Sequence, residues 1–100
     1  MEDDSILLEA HNVVRGPRQD NYDHPLDNFT RIAKLWSVIL EKEVTPEQVG
    51  LCMVALKISR EIHRPQRDNL VDGAGYFETV HLLKAERIKR LASEVFPLDE

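Results

Sequence analysis

Apolar residues in this chain recur three and four positions apart, and no stretch of useful length alternates apolar with polar, so the pattern predicts helices and no strands. A first helix is predicted over about 5–14, with Ile6, Leu7, Ala10, Val13 and Val14 as its apolar stripe and Asp3, Asp4 or Ser5 as its N-cap. It stops before Arg15-Gly16-Pro17. Residues 16–25 hold too few apolar groups to join a core and read as a surface loop. The second helix, about 26–42, opens near Pro25, whose missing N–H has no intrahelical partner in a first turn. Phe29, Ile32, Ala33, Trp36, Ile39 and Leu40 mark its apolar face.

The third start carries the strongest local signal. Thr45-Pro46-Glu47-Gln48 combines a capping hydroxyl, a first-turn proline, an acid suited to the helix dipole and a Gln at the capping-box spacing. The helix it opens, 46–63, carries Val49, Leu51, Cys52, Met53, Val54, Ala55, Leu56, Ile58 and Ile62 on more than one face, as a helix sandwiched between others does. Pro65 ends it. Asp68 or Asn69 then caps a fourth helix, 69–95, with Leu70, Val71, Ala74, Phe77, Val80, Leu83 or Lys84, Arg87 or Ile88, and Leu91 expected to face inward. Its far end has only a narrow seam, Ile88, Leu91, Ala92 and Val95, able to pack on the first helix or on another subunit.

The chain is therefore read as one all-α, four-helix bundle-like domain over 1–100, frayed at 1–4 and 97–100. Its 100 residues, 42% hydrophobic and 31% charged, suffice for a core without a metal or disulfide staple. A formal charge of -5 argues against coating nucleic acid. The lone Cys52 sits in an apolar run and reads as a reduced, buried thiol. The acidic N-terminus and the lack of a long apolar stretch predict no membrane span and a cytoplasmic address.

Candidate chemistry gathers around the break between the third and fourth helices. Lys57 interrupts an apolar helix, and a cation there must snorkel, line a cleft or pair with an acid. Arg60 lies one turn on, and Asp68 and Asp72 lie a turn apart on the next helix. In an antiparallel hairpin these four meet, either as a salt-bridge network or as the wall of an anion or metal site. Gly73 and Gly75 are costly inside a helix, which points to close helix approach or to ligand approach. Tyr76 offers a phenol to the same surface or packs as a half-buried core aromatic. In the loop, Arg15 and Arg18 could meet phosphates, Tyr22 could stack on a base, and Asp20 or Asp23 could help hold a hard cation; a plain solvated connector fits as well. The four histidines have no zinc spacing, and neither a serine-nucleophile elbow nor a phosphate-cradling loop is present.

The runs Tyr22–Trp36, Thr45–Val49, Lys57-Ile58-Ser59-Arg60 and Asp68–Tyr76 resemble a family of short phage and prophage proteins of unknown function, over most of the chain. Helix order and the D-x-x-G-Y element are distantly similar to MazG-like all-α nucleoside triphosphate pyrophosphohydrolases. That resemblance implies Mg²⁺ held by Asp72 and Asp68, with Asp72 and Lys57 as the catalytic pair and Arg60, Arg18, Tyr22 and Tyr76 on the substrate. The paired E-x-x-E helix of those enzymes is absent here. The expected role is nucleotide binding or processing in the host cytoplasm, by a homo-oligomer. The alternative is a non-enzymatic protein that binds a host or phage partner.

Overall fold

Helix starts in the structure, a computed structural model that describes residues 4–16 and 23–96, are fixed by polar groups that accept otherwise unpaired N–H groups. Ser5 Oγ accepts from Leu8 at the head of α1 (Ile6–Arg15), and His24 Nδ1 accepts from Leu26 at the head of α2 (Pro25–Leu40). At the head of α3 (Pro46–His63), Thr45 Oγ1 accepts from the Gln48 amide while Gln48 Oε1 accepts from the Thr45 amide, the reciprocal box its sequence announces. The long α4 (Arg67–Val95) starts two residues before the expected point, after Gln66, which makes no side-chain cap. Its cap comes from the preceding helix instead: Glu61 Oε1 accepts from the Gln66 amide at 3.0 Å and from Asn69 Nδ2 at 3.1 Å. Asp68 thus sits in the first turn rather than at the cap.

The second helix ends at Leu40, two residues short of the expected limit, because Glu41 turns left-handed at φ 55°. Ser37 Oγ donates to the Ala33 carbonyl and accepts from the Val44 amide, and this folds the chain back so that Val44 reaches the core. Leu26, Phe29, Ala33, Val49 and Leu83 form that core, with Ile32, Trp36 and Tyr76 packed against it. No strand occurs among the described residues.

α3 and α4 run antiparallel. Glu47 pairs with Arg87 at one end, Lys57 with Asp72 further along, and Glu61 with Asn69 beside the turn. α1 lies parallel to the first half of α4, tied by Glu9–Arg67 and Arg15–Glu78, and its backbone comes close to no other helix. α2 contacts both α3 and α4. Arg90 clamps its first turn to α4 by holding Asp27 and Glu86, and these hydrogen bonds keep both carboxyls below their ordinary range.

Several facing assignments differ from expectation. On α4 the buried positions are Val71, Gly75, Thr79, Val80 and Leu83, whereas Leu70, Phe77, Ile88 and Leu91 are exposed. α3 is not sandwiched: Leu51, Leu56, Ile58 and Ile62 are open to solvent, and so is Cys52. The reason is that neighbours cover only its Val49, Gly50 and Val54 side.

Close approach explains two of the helical glycines. A Cβ on Gly50 would stand 2.4 Å from Val80 Cγ2 and 3.5 Å from the Phe29 ring, so the three helices meet where a side chain has no room. A Cβ on Gly75 would lie 3.3 Å from Val14. Gly73 is different, since its nearest neighbour would be Lys57 Cβ at an ordinary 3.9 Å. Gly50→Ala is expected to lower stability by roughly 1–3 kcal/mol through overpacking against a stiff valine. Gly73→Ala should raise it by up to about 1 kcal/mol through helix propensity alone. Urea unfolding of the two variants checks this; equal tolerance at both sites would contradict the packing described.

Candidate functional site

Because α1 packs on α4 while α2 packs on both α3 and α4, with the α1 and α2 backbones apart, a cleft of about 320 Å³ remains between them. Val71, Asp72, Gly75 and Tyr76 of α4 line one side of it. Val13 and Val14 of α1 and Asn28, Phe29 and Trp36 of α2 line the others. The lining is mainly apolar and aromatic, with a few polar groups that could orient a ligand, the usual make-up of a small-molecule site. Phe29 and Tyr76 form a tilted pair with centroids 6.5 Å apart, so the Tyr76 ring is held by the core while its residue stays half-buried. Thr79 is buried, and its hydroxyl is occupied in donating to the Gly75 carbonyl at 2.9 Å.

Asp72 is the charged group that links this cleft to the hairpin. Its Oδ2 lies 2.9 Å from Lys57 Nζ; the aspartate side chain is 43% exposed, the lysine only 15%. Lys57 therefore lays its stem along α4 beside Gly73 and sets its ammonium against the carboxylate.

Only this pair forms from the four charges expected to meet near the turn. Arg60 and Asp68 are exposed, and neither has an ion-pair partner among the described residues. Asp68 is also absent from the cleft lining. Arg18 and Tyr22, and Asp20 with them, lie outside the described residues. Asp23, at the cleft, is paired with Arg31, and Arg15 with Glu78. No group of three or more His, Cys, Asp or Glu side chains able to hold a metal ion occurs among the described residues. No helix among them is long and apolar enough to cross a membrane.

Sequence reasoning missed Asn28 as a cleft residue; Phe29 and Trp36, read as core residues, do pack in or against the core and also line the cleft. A signal for Asn28 existed: with Pro25, Phe29, Ile32 and Trp36 it falls on the inward stripe of α2, and a polar residue on such a stripe needs a partner or a ligand.

The unequal burial of the ion pair makes a directional prediction. Asp72→Asn should cost about 1–2 kcal/mol, since it leaves a largely covered ammonium without its anion. Lys57→Met should cost less, because the half-exposed carboxylate regains water. The double variant should be no worse than Asp72→Asn. Urea unfolding of all three reads the cycle, and an Asp72→Asn chain as stable as the parent would show the pair to be incidental.

Comparison with known proteins places this sequence in a family. The pattern of a domain of unknown function, DUF6378, matches residues 5–87. The "Gene 55 protein" of Mycobacterium phage D29 is 39% identical over 87 residues, which covers 86% of this chain and 58% of the relative. The "Gene 55 protein" of Mycobacterium phage L5 is 38% identical over 88 residues, covering 83% and 56%. The chain thus spans a little over half the length of these curated relatives. No solved structure gives a significant match. The chain belongs to DUF6378, a phage protein family of unknown function.

Proposed function

We propose that this member of a phage protein family is a nucleotide-binding helical domain, with the base seated in the cleft between α1 and α2. One observation carries the reading: an aromatic-lined hollow of about 320 Å³ whose wall includes Asp72, the carboxylate paired with Lys57. Tyr76, Phe29 and Trp36 supply apolar and π surface for a base, and Asn28 can both donate to and accept from a base edge. Phosphates would extend toward the Asp72 end of the cleft, with Lys57, paired to Asp72, and Arg60 as the cations that would meet them.

The enzymatic form of the proposal is a MazG-like nucleoside triphosphate pyrophosphohydrolase, with Asp72 and Asp68 holding Mg²⁺. A Mg²⁺ ion that arrives on a triphosphate needs only one or two protein carboxylates, and of these two acids Asp72 lines the cleft while Asp68 does not. The donor set is thin. Asp72 is engaged by Lys57, and no third ligand group joins the two acids among the described residues. Binding is therefore the function the geometry supports best. A second reading, a non-enzymatic protein that engages a host or phage partner, draws on a separate feature, the apolar outer surface of α3 and α4.

Thermal melting with each nucleoside triphosphate, with and without Mg²⁺, tests the proposal. A ligand at a hundred times its Kd adds about 2.7 kcal/mol of stability, so the midpoint should rise by several degrees. Tyr76→Leu should remove that rise while keeping the fold. Release of pyrophosphate from any triphosphate would establish the enzymatic form. No shift with any nucleotide, Mg²⁺ present or absent, would contradict the reading.

A further inference from the structure

On the outside of α3, Leu51, Ala55, Ile58 and Ile62 stand exposed at intervals of four, three and four residues. On the outside of α4, Leu70, Ala74, Phe77, His81, Lys84, Ile88, Leu91 and Val95 follow the same alternation without a break for nearly the whole helix. Ala74 is partly covered and the other seven are exposed, with Phe77 at 57% and Ile88 at 69%. This is the heptad rhythm that keeps one seam of a helix turned toward a partner helix. Leu51 and Ala55 border a hollow beside Trp36 and Leu40 at the end of α2, while Ile58, Ile62 and nearly all of the α4 seam are open to solvent. Phe29 of α2 lies against Gly50 of α3 and Tyr76 of α4, so α2 covers the inner side of both helices and the two seams look the other way.

We propose that this outer face is the docking site for a second copy of the chain, the α3–α4 hairpins of two copies closing face to face into a four-helix bundle. Two antiparallel helices that each present one heptad seam form half of such a bundle, and a two-fold axis supplies the other half from the same surface. The area agrees. The eight large apolar side chains at these positions expose on the order of 900 Å², against about 800 Å² per partner in a standard interface and about 300–600 Å² for the largest patch on an ordinary monomer. Charge permits self-association, because the α3 seam has no charged residue and the α4 seam is interrupted only at His81 and Lys84. The seam from Ile88 to Val95 runs beyond the start of α3, which lies opposite Arg87, and gives each copy an overhang for the other. The cleft opens on the inner side of the layer, so this inference stands independently of nucleotide binding.

Light scattering on the eluting chain, with sedimentation velocity over a concentration series, decides the question. The expected result is a mass twice 11.6 kDa. Ile58→Glu and Phe77→Glu should each shift the mass toward the monomer, while Leu8→Glu on α1, exposed but off this face, should leave the dimer intact. A chain that stays monomeric at its highest soluble concentration would overturn the proposal. So would a dimer indifferent to both charge substitutions. Should the variants fail to fold, isotope-filtered NOEs in a mixed labelled and unlabelled wild-type sample replace them. Methyl contacts of Ile58 and Ile62 crossing between copies are expected, and a dimer lacking them would refute the assignment.

Discussion

The contact on which the rest of the structure depends is the near-touch of α3 and α4 at Gly50, where Val80 occupies the volume a side chain would need. Absence of a Cβ there brings the two backbones close enough for the Phe29 ring to reach the same spot from α2, and for Val49 and Leu83 to be almost fully covered beside it. Close packing of this kind turns a modest number of apolar residues into a single well-defined core. Polar contacts then pin the hairpin along its length, from Glu47–Arg87 through Lys57–Asp72 to Glu61 at the head of α4. Arg87 keeps the Glu47 carboxyl below its ordinary range, as expected of an acid gaining a hydrogen-bonded cation.

Two further features follow from that hairpin. α1 has ten residues and reaches only α4, while α2 settles over α3 and α4, so the gap between them becomes the cleft. A layer covered from one side leaves its other side open, and the apolar seams there remain largely exposed. The resulting slab, 50 × 41 × 20 Å, is about two helices thick. Its inner and outer faces thus offer different chemistry, an aromatic hollow with an ion pair on one and a heptad surface on the other.

Helix existence and most helix starts were legible because they rest on neighbours in sequence: Thr45 with Gln48, Ser5 with Leu8, and a proline in the first turn of α2 and α3. The head of α4 was misplaced because its cap, Glu61, belongs to another helix. Facing was the harder problem. On α4 the inward side carries Gly75 and Thr79, which give little hydropathy signal, whereas the outward side carries Leu70, Phe77, Ile88 and Leu91. Hydropathy alone therefore found Val71, Val80 and Leu83 but added outward residues to them, and Cys52 and Leu51 on α3 were misjudged for the same reason. Of the candidate site, Lys57 with Asp72 was readable as a buried cation in need of an acid, and Tyr76 as its neighbour. The walls from α1 and α2 were not, since which helices leave a gap is decided by packing at long range.

If the Gly50–Val80 contact is the centre of stability, amides around it should open only when the whole molecule unfolds. Native-state hydrogen exchange resolved by residue measures this directly. The slowest amides are expected in Val54 and its α3 neighbours and in Val80 to Leu83 of α4, with α1 exchanging through a cheaper local opening. Slowest exchange in α1, or equal protection along all four helices, would contradict the account.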